Sequence, residues 1–130
     1  MRSNSELAGA PKMRAKFPKK ARLRQSRQFQ KVYRQGKKHV VGPLRVHALR
    51  RDGGDGSDSR LGLSIGRKTG KATVRNRWKR KIREAFRRYR NRLPAAYDLV
   101  VGVAWESRIE DVAGVEGAFL KLTELLQDAN

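Results

Sequence analysis

The sequence contains no cysteine, which removes disulfides and thiolate metal sites from consideration. Acidic residues are scarce as well. Twelve Asp and Glu stand against 32 Lys and Arg, a formal net charge of +20 over 130 residues. No apolar run approaches the roughly 20 residues of a membrane-spanning helix, and the N-terminus lacks the apolar core of a signal peptide. A cytoplasmic protein without a membrane partner is the expectation. Histidine is nearly absent. His39 and His47 lie eight apart, with no Ser-His-Asp spacing and no HExxH motif. Carboxylates are too few in the basic segment for a two-metal nuclease. Asp52, Asp55 and Asp58 lack the later Glu of an EF-hand, so a solvated loop is expected there. The residues therefore nominate no catalytic group and no metal site.

What is present is positive charge, unevenly placed. Residues 1–97 hold 30 of the 32 basic residues and five acids, a net of +25. Residues 98–130 hold only Arg108 and Lys121 against seven acids, a net of −5. Charge of this size opposes folding through self-repulsion, so an anionic partner is expected for the first three quarters. The last quarter reads as structural support. A length of 130 residues favours one domain.

Residues 1–22 carry Pro11 and Pro18 and no helical or strand period, and are read as a basic, largely disordered arm. Residues 23–130 are read as a single domain that carries the anion-binding surface. Ser26 is a candidate cap for a short helix reaching Gln35, with Gly36 as its stop. Val40 to Leu49 and Arg60 to Gly66 read as strands paired in an antiparallel hairpin across a flexible loop at 51–59. Thr73 is a candidate cap for the main helix, which ends before Pro94. Asp98 to Ala104 reads as an interior strand. Val112, Val115, Phe119, Leu122, Leu125 and Leu126 outline a final helix. The order α-β-β-α-β-α predicts an α/β (α+β) two-layer sandwich on a small central sheet.

The main helix carries most of the argument. At 100° per residue, Val74, Trp78, Ile82, Ala85, Phe86, Tyr89 and Leu93 share one arc, the expected buried stripe. Asn76, Lys79, Arg80, Arg83, Arg87 and Arg90 share the opposite arc, with Arg77, Lys81 and Arg88 on a second flank. A solvated helix face interleaves Glu with Lys to gain i, i+4 pairs. Between Arg75 and Arg92 the only acid is Glu84. Such a surface places guanidinium groups against phosphates, which arginine binds in bidentate fashion. Trp78, Phe86 and Tyr89 fall to the core. Phe29 and Tyr33, one turn apart on the first helix, suit either a core or a cleft beside the small-residue face of Gly62 and Ser64.

The segment Arg75-Asn76-Arg77-Trp78-Lys79-Arg80-Lys81-Ile82-Arg83-Glu84-Ala85-Phe86-Arg87 resembles the signature of the bacterial ribonuclease P protein family. The resemblance extends through Gly62 to Ala72, through Arg22-Leu23-Arg24 and through Phe29 to Lys37, and spans roughly residues 20 to 127. It implies a left-handed β-α-β crossover through this helix, against the usual rule. It implies a ribonucleoprotein in which a large RNA and its Mg2+ ions cut precursor tRNA to give the mature 5′ end. The protein itself would bind no cofactor and would be monomeric apart from that RNA. By position, Arg75, Asn76, Arg77, Lys79, Arg80, Arg83 and Arg87 correspond to the surface for the ribonuclease P RNA. Phe29, Tyr33, His47, Ser64, Arg67, Lys68 and Lys71 correspond to a cleft for the precursor's 5′ leader. Tyr33 departs mildly from a family position that is often Phe. The long N-terminal arm and the Asp52–Asp58 loop are atypical and carry no implied role. The competing expectation is a ribosomal or other structural RNA-binding protein with no processing role.

Overall fold

Gly42 and Pro43 divide the stretch read as one strand into two. Gly42 has φ +52°, the left-handed region open to glycine, at the first position of a two-residue hairpin loop. Pro43 has no N–H to give a ladder. The result is a hairpin of β1 (Lys37–Val41) and β2 (Leu44–Arg50), with Lys37 opposite Ala48 and Val41 opposite Leu44. The structure is a computed structural model, and it describes residues 21–105 and 107–129. The arm expected over 1–22 lies outside the described residues except for Ala21 and Arg22. Those two belong to the fold: Ala21 is buried, and Arg22 bridges Leu61.

The expected hairpin between the second and third strand regions does not form. β3 (Arg60–Leu63) and β2 are separated by β4 (Tyr97–Val103), in the order β1-β2-β4-β3. β4 runs antiparallel to β2 and parallel to β3. All seven residues of β4 are buried, and an apolar strand of this kind takes an interior place. The 51–59 loop must then cross two strand spacings, about 10 Å, which a tight turn cannot span. The parallel neighbours β3 and β4 are joined through α2 (Ala72–Tyr89).

The α+β class stands, with one strand more than expected. Helices α2 and α3 (Val115–Ala129) pack together on one sheet face. Leu44, Val46, Leu61, Leu99 and Val101 from the sheet meet Trp78, Ile82, Phe86, Phe119 and Leu122 from the helices in a single core. α1 (Ser26–Gln35) lies on the opposite face, where Val32, Leu23 and Val100 form a smaller cluster with Phe29 and Leu49 against it.

The capping residues differ from those expected. α1 starts after Gln25, and the Gln28 side-chain oxygen accepts from the N–H groups of Arg24 and Gln25 at 3.0 Å each. Ser26 is therefore the first helical residue rather than the cap. α2 starts after Lys71, which places Thr73 inside the first turn. Gly36 has φ −82°, so it is not a left-handed stop. Its smallness is needed for packing instead: a Cβ there would stand 2.6 Å from the Val32 carbonyl oxygen and 2.9 Å from that of Ala48.

The acidic loop is docked at its centre rather than flexible throughout. Gly56 and Ser59 are buried, and a Cβ at Gly56 would stand 2.6 Å from the Leu93 carbonyl oxygen. Ser59 Oγ accepts from the Tyr97 N–H at 3.0 Å. The Arg51 guanidinium donates to the Asp58 carbonyl. Buried Asp98 closes the adjoining edge. It accepts two bonds from Arg60, at 2.8 and 2.7 Å, and lies 3.0 Å from Arg51 Nε. The bidentate hydrogen bonding raises the Arg60 pKa further.

Candidate nucleic-acid interface

Two surfaces emerge, on opposite faces of the sheet. The first is the outer side of α2. Trp78, Ile82, Ala85 and Phe86 are buried against the sheet and α3, as the angular sorting predicts. Asn76, Arg77, Arg80, Arg83 and Arg87 are exposed, and Arg75 and Lys79 are partly so. Among the described residues, no acid forms an ion pair with Arg75, Arg77, Lys79, Arg80 or Arg83. The flank is different: Arg88 pairs with Glu116 of α3, and Arg92 lies over the Tyr89 ring at 5.4 Å. Arg88 thus serves the helix packing.

Arg83 has its pKa lowered, first by burial and then by the charge of Arg22. The segment carrying Arg22 runs along the β3 edge, where the Leu23 N–H donates to the Leu61 carbonyl at 2.9 Å. Arg22 therefore adds its charge beside the stripe.

The second surface is the sheet face that α1 covers only in part. Strand alternation puts Arg45, His47, Val100, Gly102, Gly62 and Ser64 on this side. His47 is opposite Val100 and Arg45 opposite Gly102. α1 closes one half: the Phe29 ring rests on Gly62, and Val32 is fully buried. Tyr33 marks the boundary. It is 42% exposed, and its ring meets His47 edge-on with centroids 4.8 Å apart. Beyond it Gly102 is covered: a Cβ there would stand 2.8 Å from the Ser64 carbonyl oxygen and 3.2 Å from a guanidinium nitrogen of Arg45, so the Arg45 side chain lies over the strand. Arg67 and Lys68, in a 3-10 turn, and exposed Lys71 rise beyond Ser64 on the way into α2. The structure thus gives both aromatics a place: Phe29 is half-buried at the cleft wall, and Tyr33 is open to solvent.

His47 has its pKa lowered, by burial first and then by Lys38 and Arg45. The charges named against it, Lys38 and Arg45, are both cationic, which favours an anion at this face. Arg22 and Arg45 are additions to the residues singled out from sequence. The period-two alternation of β2 already places Arg45 beside His47, whereas nothing in the sequence brings Arg22 to Arg83.

Fold and surfaces define a small α+β RNA-binding protein, with one arginine-rich helix and one open sheet face. A ribonuclease P family profile matches residues 17–127. The chain is 40% identical over 89 residues to the ribonuclease P protein component of Thermotoga maritima, covering 68% of this chain and 74% of that one. It is 34% identical over 96 residues to that of Dictyoglomus thermophilum, covering 74% and 78%. The solved RNase P protein from Thermotoga maritima superposes with a TM-score of 0.57 at 33% identity, over 83% of this chain and 93% of that one. The Staphylococcus aureus RNase P protein shares the fold at a TM-score of 0.69 and 23% identity, over 81% and 94%. The chain belongs to the ribonuclease P protein family. Its role is that of the protein subunit of this endoribonuclease, and not that of a ribosomal RNA-binding protein.

Proposed function

We propose that the two surfaces divide the work of the holoenzyme. Arg75, Asn76, Arg77, Lys79, Arg80, Arg83 and Arg87 dock the ribonuclease P RNA. Phe29, Tyr33, His47, Ser64, Arg67, Lys68 and Lys71 bind the 5′ leader of precursor tRNA. The observation that carries this division is the half-open sheet face, where Tyr33 stands exposed against His47 and Arg45, Arg67 and Lys68 line one groove with Ser64. Single-stranded RNA suits such a face, since bases stack on aromatics at about 1–3 kcal/mol each while cations track the backbone. A folded RNA suits the arginine stripe, which reads backbone shape and charge.

The cleavage chemistry belongs to the RNA and to the Mg2+ ions it holds. Among the described residues, no group of three or more His, Asp or Glu converges to hold a metal. The side chains position: the stripe neutralises phosphate repulsion so that RNA helices pack at lower Mg2+, and the cleft holds the leader. The protein acts in the cytoplasm as a monomer apart from its RNA complex. No helix among the described residues is long and apolar enough to cross a membrane. Reconstitution tests the proposal. The protein alone should cleave nothing, and should let ribonuclease P RNA process precursor tRNA at a Mg2+ concentration where the RNA alone is inactive. Cleavage by RNA-free protein, or no rescue of the RNA, overturns it.

A further inference from the structure

Trp105 is the most exposed large hydrophobic side chain among the described residues, at 81%, whereas Trp78 is buried to 1%. It lies in a turn two residues beyond β4, the strand that runs beneath the open face. Its position is pinned by hydrogen bonds. The Ala104 N–H donates to the Pro43 carbonyl at 2.7 Å, and Ser107 Oγ donates to the same carbonyl at 3.1 Å. The Ser107 N–H closes the turn onto the Ala104 carbonyl at 2.9 Å. A large indole held out into water by a tied turn gains nothing from burial in this chain.

The surroundings indicate its occupant. Trp105 lines one groove with Arg45, Ser64, Arg67 and Lys68, the same side chains that rim the proposed leader cleft. Along β4 the step from Val100, beneath α1, to Val103 at the strand's end is roughly 10 Å at about 3.3 Å per residue, and Trp105 lies two residues further on. The path from Tyr33 past Arg45 to Trp105 is therefore bounded by an aromatic at each end, with cations between. Sequence-tolerant single-strand binding combines these elements in this way. A second groove on the other side of the indole, lined by Val40, Pro43, Glu110 and Asp111, is apolar and acidic and does not suit a polyanion.

We propose that Trp105 is a base-stacking platform for single-stranded RNA, extending the leader path beyond the aromatic pair on α1. This rests on the leader-cleft reading above, and the test separates the two. In reconstituted holoenzyme, the affinity for precursor tRNAs is measured over a ladder of leader lengths, with mature tRNA as reference. With wild-type protein, affinity should gain a step once the leader is long enough to reach position 105. Trp105→Ala should remove that step, a loss of about fivefold to tenfold for one platform, and leave shorter leaders and mature tRNA unchanged. Trp105→Phe should restore most of it, while Trp105→Leu should not. In the same holoenzyme, long-leader RNA should quench the exposed indole emission, leaving that of Trp78.

No loss with Trp105→Ala, an equal loss at every leader length, or full rescue by leucine would overturn the proposal. The last outcome would mark an apolar protein contact instead. If Phe29→Ala loses affinity for precursor but not for mature tRNA while Trp105→Ala loses none, only this extension fails. If neither variant loses precursor affinity selectively, the cleft reading fails with it.

Discussion

The Phe29 ring lies across Gly62 so closely that a Cβ built at position 62 would stand 2.7 Å from Phe29 Cζ and 3.0 Å from Cε2. Leu23 is on the same side, its Cβ 3.1 Å from that point. A bare position in β3 thus seats the aromatic that walls the cleft. The consequence runs from one missing side chain to the shape of this sheet face.

Gly62→Ala should therefore push the ring off its seat. Real Cβ atoms do not approach to 2.7 Å, and overpacking of this kind costs about 1–3 kcal/mol. Urea denaturation should show a lower midpoint with an unchanged slope, and the holoenzyme should lose affinity for precursor tRNA selectively. Wild-type stability together with wild-type precursor affinity would mean that the glycine does not set the ring's position.

Arg83→Ala should weaken binding to ribonuclease P RNA and flatten its salt dependence. Each lost phosphate contact lowers the slope of log K against log salt by roughly 0.7–0.9. Arg83 is exposed on the outer side of α2, so the change leaves the core residues of that helix in place. An unchanged salt slope would count against the stripe as the RNA surface.

The two histidines offer a paired test of the cleft. His47 has its pKa lowered by burial, Lys38 and Arg45; His39 by burial and Lys37. Just below 6.5 the unfolded chain then binds more protons than the folded one, so stability rises with pH through that window and falls on acidification. Phosphates at the cleft favour imidazolium and should raise the His47 pKa. His39 pairs with Val46 and so lies on the opposite sheet face. In an NMR titration both midpoints should fall below 6.5, and single-stranded RNA should move His47 upward and leave His39 in place. Equal movement would mean that the charge of the RNA acts globally rather than at the cleft.

The arginine stripe was legible from sequence because helical periodicity alone separates it from Trp78, Ile82 and Phe86. The strand pairing was not. Both β2 and β3 carry a period-two pattern, and that pattern says nothing about the seven-residue β4 lying between them. Gly42 and Pro43 did announce a turn, but a run of alternating residues on both sides masked it. For Phe29 and Tyr33 the spacing placed them on one helix face and could not say how far the sheet continues beneath it. The half-covered face sets their surroundings apart: the Phe29 ring rests on Gly62, and Tyr33 is exposed beside His47. Arg22 reaches Arg83 only through a pairing on the sheet edge that no local pattern encodes.

The division of labour is tested most directly by the affinity of Phe29→Ala holoenzyme for precursor and for mature tRNA. The expected result is a loss for precursor of about fivefold or more, consistent with one stacked base, with mature tRNA and ribonuclease P RNA bound as by wild type. Equal losses for precursor and mature tRNA, or weakened binding of the ribonuclease P RNA itself, would contradict it and return Phe29 to the core.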